Sequence, residues 1–383
     1  MSDNTRRQFI GSVGAAAATT VLAPRALAAA RPASMTQAPP PARTPPPQYY
    51  TYQSEIYLNG MTRRVTPKIT TNLSKLEAQA SRVLDERARQ ALLASAGGRA
   101  ATRANLRAFH GWRIVPRMFR AHAERDLSVT ILGTRMPAPV ILAPVAFQKR
   151  AHPDGELASA RAAAAAKLTY IQAERASYAI EEVAAANGPG SRWYQVDWPD
   201  GDDADMGSLR RARSAGYSHL VITAPRPGRG WRELALIRRN WDGPILLHGI
   251  RTVRDAKDAA KRRFDGIIVS NHGGRAAGRA VGSVDALAPI VDAVGDRLTV
   301  LFDSGIRPAP DAFKALALGA DAVLVGRAYV YGLALDGQAG VTHVIRTLLA
   351  ELDLTLANSG YRSHRELSRG SLSTVRRSGE HSP

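Results

Sequence analysis

FDGIIVSNHGGR, residues 264–275, joins a short apolar run to a dense polar cluster. Residues 266–269 have the β-branched, continuously apolar character of a strand buried on both faces. Ser270, Asn271 and His272 follow at its carboxyl end, then two glycines and Arg275. The glycines permit a sharp turn and the close approach of a flat ligand. An imidazole followed three residues later by a guanidinium suggests a base beside an anion clamp.

Seven comparable runs surround this one, at 140–143, 168–172, 192–196, 219–223, 244–247, 298–302 and 322–325. Between them lie Ala/Arg/Glu-rich segments of helical periodicity, among them 155–166, 180–186, 206–215, 253–262 and 310–318. Eight strand–helix units at roughly even spacing predict an α/β fold, a closed parallel (β/α)8 TIM barrel. The rival is a doubly wound open sheet. No Gly-x-Gly-x-x-Gly follows the first strand, which removes the usual support for a dinucleotide fold. Before the barrel, 73–93 and 102–109 read as helices of an N-terminal extension.

Barrel chemistry sits where strands end. In order, those ends carry Pro144, Val145, Ala146 and Gln148, then Gln172 to Glu174, Gln195 and Asp197, Thr223, and His248. Ser270 to Arg275, Asp303 to Arg307, and Gly326 with Arg327 complete the ring. The last two ends, Asp303-Ser-Gly305-Ile-Arg307 and Gly326-Arg327, combine glycine turns with guanidinium donors. That composition at that position predicts a phosphate site.

Composition narrows the function. The chain has 383 residues, 45% hydrophobic, with 52 basic against 33 acidic side chains and a formal charge of +19. Its length allows one large barrel or two smaller domains. The arginines are scattered, with no basic run interleaved with aromatics, so nucleic acid is not the expected partner. Without cysteine, thiol catalysis, disulfides and Cys-ligated metals are excluded. Spaced His and carboxylate ligands are missing too, and the acidic run 200–205 lacks the register of a calcium loop.

The N terminus carries Thr5-Arg6-Arg7-Gln8-Phe9-Ile10, a mildly apolar Gly/Ala-rich run, and Ala26-Leu27-Ala28. The run is too short to span a bilayer. Together these features predict a twin-arginine signal peptide over 1–30 and export to the periplasm or the exterior. Seven prolines within 31–48 predict an extended linker. The folded domain is expected over 49–370, with a disordered tail over 371–383.

The motifs resemble one family, the FMN-dependent 2-hydroxy-acid oxidases and dehydrogenases, over roughly residues 49–370. The resemblance rests on SNHGGR (270–275), DSGIR (303–307) and DAFKALALGADAVLVGRAYVYGLALDGQAGV (311–341). LAPVAFQ (142–148), HPDGE (152–156) and TLLAELDLTLANSGYRS (347–363) support it. EIYLNG (55–60), AERDLSV (123–129) and GWR (230–232) are closer to the lactate 2-monooxygenase branch than to glycolate oxidase.

The resemblance implies roles. His272 would be the base, and Arg275 with Arg232 would grip the substrate carboxylate. Pro144, Val145, Ala146, Gln195, Thr223, His248 and Ser270 would surround the flavin ring and ribityl chain. Asp303, Gly305, Arg307, Gly326 and Arg327 would hold ribityl hydroxyls and phosphate. The implied partners are a 2-hydroxy acid, oxygen or another electron acceptor, and further copies of the chain in a tetramer.

The chain also departs from that family. A lysine expected at the end of strand 5 is His248, and a tyrosine expected after the strand 3 glutamine gives way to Asp197. ALLASAGGR (91–99) lacks the expected N-terminal tyrosine. The acidic residue expected after Thr223 is Pro225, and the serine expected at the end of strand 2 is Ala173. Only 224–243 separates strands 4 and 5, which leaves no room for the family's long lid. An oxidoreductase with an altered acid substrate is the first expectation. A flavin-binding accessory protein without turnover is the alternative.

Overall fold

The computed structural model describes residues 47–93, 99–120, 124–197, 206–224, 232–275 and 282–375, with the backbone alone of Leu93, Arg232 and Glu233. The expected signal peptide, most of the linker, the 200–205 run and Pro225 lie outside the described residues. Eight parallel strands close into a barrel. They are β1 (Val140–Leu142), β2 (Tyr170–Ala173), β3 (Arg192–Val196), β4 (His219–Thr223), β5 (Ile245–Ile250), β6 (Gly266–Val269), β7 (Thr299–Phe302) and β8 (Ala322–Val325). The helices after them are α1 (Gly155–Ala165), α2 (Ile180–Asn187), α3 (Gly207–Ser214), α4 (Arg232–Asn240), α5 (Val253–Lys261), α6 (Ser283–Val294), α7 (Ala309–Ala317) and α8 (Arg327–Asn358). β8 pairs with β1 through Val323 with Val140 and Val325 with Leu142, which closes the ring.

Two cores follow from the period-2 alternation of strands. The barrel interior holds Ile141, Ile171, Trp193, Val221, Leu246, Ile268, Leu301 and Leu324. Their outward neighbours, such as Tyr194, Ile222, Leu247, Ile267 and Val300, pack against the helices. A hairpin, Val129–Ile131 with Thr134–Met136, joins the interior cluster. There Leu132 O meets His219 Nε2 at 3.0 Å, and His219 stacks on Trp193 with centroids 4.4 Å apart.

Three expectations need correction. The predicted helix 73–93 is broken into Leu73–Lys75, Leu76–Ala80 and Glu86–Leu93. Asp85 accepts the Ala88 N–H at 2.7 Å, acting as a cap where a continuous helix would have buried no such bond. The tail expected from 371 instead carries a strand, Leu372–Thr374, antiparallel to Trp112–Ile114. β5 runs past 247 to Ile250, because Gly249 takes φ 105° within an irregular pairing to β6. A helix not foreseen, Thr51–Arg63, precedes the barrel.

Candidate active site

Interior parity delivers the site. On six strands an interior residue is followed two positions later by a polar or small group at the carboxyl end. Trp193 leads to Gln195, Val221 to Thr223, Leu246 to His248, Ile268 to Ser270, Leu301 to Asp303 and Leu324 to Gly326. These ends open on a single cleft. Its wall includes Pro144, Val145, Ala146, Gln195, Asp197, His248, His272, Arg275, Asp303, Gly305, Arg307, Gly326 and Arg327. Of the other expected site residues, Thr223 and Ser270 stand behind this wall. Thr223 accepts from Gln195 Nε2 at 2.6 Å and donates to Asp197 Oδ1 at 3.1 Å. Arg232 opens α4, and its side chain lies outside the described residues.

His272 is held by its neighbours. Its backbone N–H donates to Ser270 Oγ at 2.9 Å, and the same hydroxyl donates to Asp303 Oδ2 at 2.9 Å. The Gly273 N–H donates to Ser304 Oγ at 3.0 Å. His272 and Gly273 both take left-handed backbone, φ 54° and 67°. The ring lies over β5 only because residue 249 is glycine: a Cβ there would stand 2.6 Å from His272 Nε2. Burial, then the neighbouring His248, push the imidazole well below its ordinary value despite Asp303. The His272 imidazole is therefore neutral over the physiological range.

His248 sits across from it, 4% exposed, with Nε2 3.3 Å from Asp303 Oδ2. Its Nδ1 is buried with no hydrogen-bond partner. Burial pushes the Asp303 carboxyl up, but the hydrogen bond and charge of His248, the Ser270 hydroxyl and His272 outweigh it and hold it below the carboxylate range.

The far end of the cleft is cationic. Arg307, Arg327 and Arg275 line it. Glu77, bonded to Arg99 and Tyr331, is a carboxylate near them, 4.0 Å from Arg307. Arg307 Nη2 is buried without a hydrogen-bond partner, although Nη1 donates to Ile306 O at 3.0 Å. A buried guanidinium N–H lacking an acceptor fits a phosphate oxygen, and Pro144, Val145 and Ala146 line the same cleft. The residues present therefore fit a flavin mononucleotide.

The strand ends read from the sequence reached Glu174 but stopped short of Arg175. Both residues, at the end of β2, line the cleft. Arg175 Nη2 lies 3.3 Å from Asp197 Oδ2, and Glu174 Oε2 accepts the Asp197 N–H at 3.0 Å. Asp197, expected to contact substrate, thus already has a cationic partner. The unusual run Gln172-Ala173-Glu174-Arg175 was the available signal.

Residues 80–234 and 224–374 match the model of the FMN-dependent dehydrogenase family. The chain is 37% identical to an FMN-dependent alpha-hydroxy acid dehydrogenase of Schizosaccharomyces pombe, covering 81% of this chain and 92% of the relative. It is 35% identical to an L-lactate oxidase of Lysinibacillus sphaericus, covering 69% and 83%. A crystal structure of mandelate oxidase superposes with TM-score 0.74 at 33% identity, covering 80% of this chain and 98% of that one. With the barrel, the cationic end of the cleft and the imidazole loop in place, the chain belongs to the FMN-dependent dehydrogenase family, whose relatives here are alpha-hydroxy acid dehydrogenases and oxidases.

Proposed function

We propose that this FMN-dependent enzyme oxidises a 2-hydroxy acid to the 2-oxo acid with His272 as the base. The observation that carries this is the neutral His272 imidazole, its backbone held by Ser270 and its ring seated over Gly249, on the wall of the same cleft as Arg275 and Arg307. Arg307, Arg327, Gly305 and Gly326 would hold the phosphate, and Pro144 to Ala146, Gln195 and His248 would face the ring. Bound FMN supplies a two-electron acceptor.

The protein's part is orientation and proton transfer. Arg275, with Arg232 from the start of α4, would grip the carboxylate so that the hydroxylated carbon faces the ring and His272. Of the two protons and two electrons the substrate loses, His272 takes one proton, and the other proton would pass with both electrons to the bound acceptor. Asp303, held anionic beside it, stabilises the imidazolium that results. The connection between β4 and β5, residues 224–244, is too short in sequence for a long lid, which suits an acid larger than lactate. A flavin-binding role without turnover would leave the interlocked Ser270, His272 and Asp303 without a task.

Product analysis tests the proposal. FMN-loaded protein with an artificial electron acceptor is expected to convert a 2-hydroxy acid to its 2-oxo acid. No such product from lactate, mandelate or larger acids would reject it.

A further inference from the structure

A helix outside the barrel, Ala100–Ala108, sends Asn105 into the loop that carries His272. Asn105 Nδ2 donates to Asn271 Oδ1 at 2.7 Å, and Asn271 Nδ2 donates back to Asn105 Oδ1 at 2.8 Å. The two side chains are 1% and 0% exposed. Each oxygen takes a second donor. Asn105 Oδ1 accepts the Ser283 N–H at 3.0 Å, and Asn271 Oδ1 accepts the Gly274 N–H at 2.9 Å. One turn earlier, Thr102 Oγ1 donates to Gly273 O at 3.1 Å. That carbonyl also accepts from Arg327 Nη2 at 2.7 Å.

The loop needs such a clamp. His272, Gly273 and Gly274 are successive left-handed residues, with φ 54°, 67° and 89°. For a histidine this conformation is costly and persists only where neighbours enforce it. The same helix also touches the other end of the site. A Cβ on Gly305 would stand 3.0 Å from Asn105 O, so the loop before Arg307 packs directly on the Asn105 backbone.

We infer that Asn105 is a positioning residue: its paired amide with Asn271 sets the His272 imidazole over the cleft and ties that loop to the phosphate-side loop. The inference rests on His272 being the base. Substituting Asn105 should therefore impair chemistry more than acid binding. Asn105→Asp keeps an acceptor for Ser283 N–H and Asn271 Nδ2 but loses the donor, so it should recover part of the function.

The test uses FMN-loaded full-length protein. Flavin reduction by a 2-hydroxy acid is followed anaerobically in wild type, Asn105→Ala and Asn105→Asp. In Asn105→Ala the limiting rate constant is expected to fall about 10- to 100-fold. The apparent Kd for the acid should change less than about threefold. An unchanged rate, or a loss confined to Kd, overturns the inference. A second readout needs no turnover: the His272 ring, which faces His248, Asp303, Arg251 and Arg275, is titrated by NMR. Release of the loop should return it towards an ordinary histidine value in Asn105→Ala, and an unmoved titration counts against the clamp. If wild type is reduced by no acid, the oxidase reading fails while this titration still decides the positioning role. If Asn105→Ala does not fold, Thr102→Val must show the same pattern more weakly, and wild-type behaviour there overturns the inference.

Discussion

The imidazoles of His248 and His272 lie with centroids 4.5 Å apart and planes at 59°. Both residues are tied to one carboxylate, Asp303, His248 through its ring Nε2 and His272 through its backbone N–H and the Ser270 hydroxyl. Burial, then His248, lower the His272 imidazole to about 3, so it is neutral and able to take a proton throughout the physiological range. Reduction of FMN by substrate is therefore expected to stay nearly constant between about pH 6 and about pH 9. Stopped-flow reduction across this range checks it, and a rate that falls about tenfold or more as the pH drops from about 9 to about 6 would count against a neutral His272.

Arg307 holds a buried N–H with no acceptor among the described residues. In Arg307→Met, the affinity for FMN should fall about 10- to 100-fold, the scale of one charge-assisted hydrogen bond. The apoprotein should melt no lower than wild type, because a buried, poorly paired cation has been removed. Fluorescence titration and thermal melts measure the two quantities. Unchanged FMN affinity would show that the phosphate lies elsewhere.

Arg175 and Asp197 face each other at the mouth. Asp197→Asn frees Arg175 to attract an anionic substrate, so KM should drop about two- to fivefold at low salt with kcat nearly constant. Raising the ionic strength should erase the difference. A higher KM in this variant would instead mark Asp197 as a direct substrate contact.

Asp311, at the first turn of α7, accepts the Arg307 N–H at 3.2 Å. Burial pushes its carboxyl from 3.8 up to about 6, against the pull of that bond and of Lys314 and Arg307. A group raised by folding contributes stability that is complete below the unfolded value and is lost as the pH rises through the folded one. Asp311→Asn keeps an acceptor without the charge. It should therefore exceed wild type in stability at pH 8 by up to about 3 kcal/mol, and match it near pH 4. Urea melts at the two pH values give the comparison.

Much of the barrel was legible because its strands are apolar runs bounded by polar ends. β3, β4, β6 and β8 coincide with the runs at 192–196, 219–223, 266–269 and 322–325. Helix termini shifted by a residue or so, as at α3 and α7, where propensity changes gradually. The cleft wall was legible for the same reason: strand ends point where interior parity sends them. What escaped is long-range pairing. Nothing local marks Asn105 as the partner of Asn271, or Glu77 as a neighbour of Arg307. Asp197 stood out as an isolated charge, and its neutralisation by Arg175 depends on the pairing of β2 with β3.

The most direct test of His272 as the base is anaerobic mixing of FMN-loaded protein with small and aromatic 2-hydroxy acids, monitored by flavin absorbance. Bleaching by at least one acid is expected, slowed by about 10²- to 10⁴-fold in His272→Ala with FMN still bound. Bleaching at the same rate in His272→Ala, or none in wild type with any acid, would contradict it.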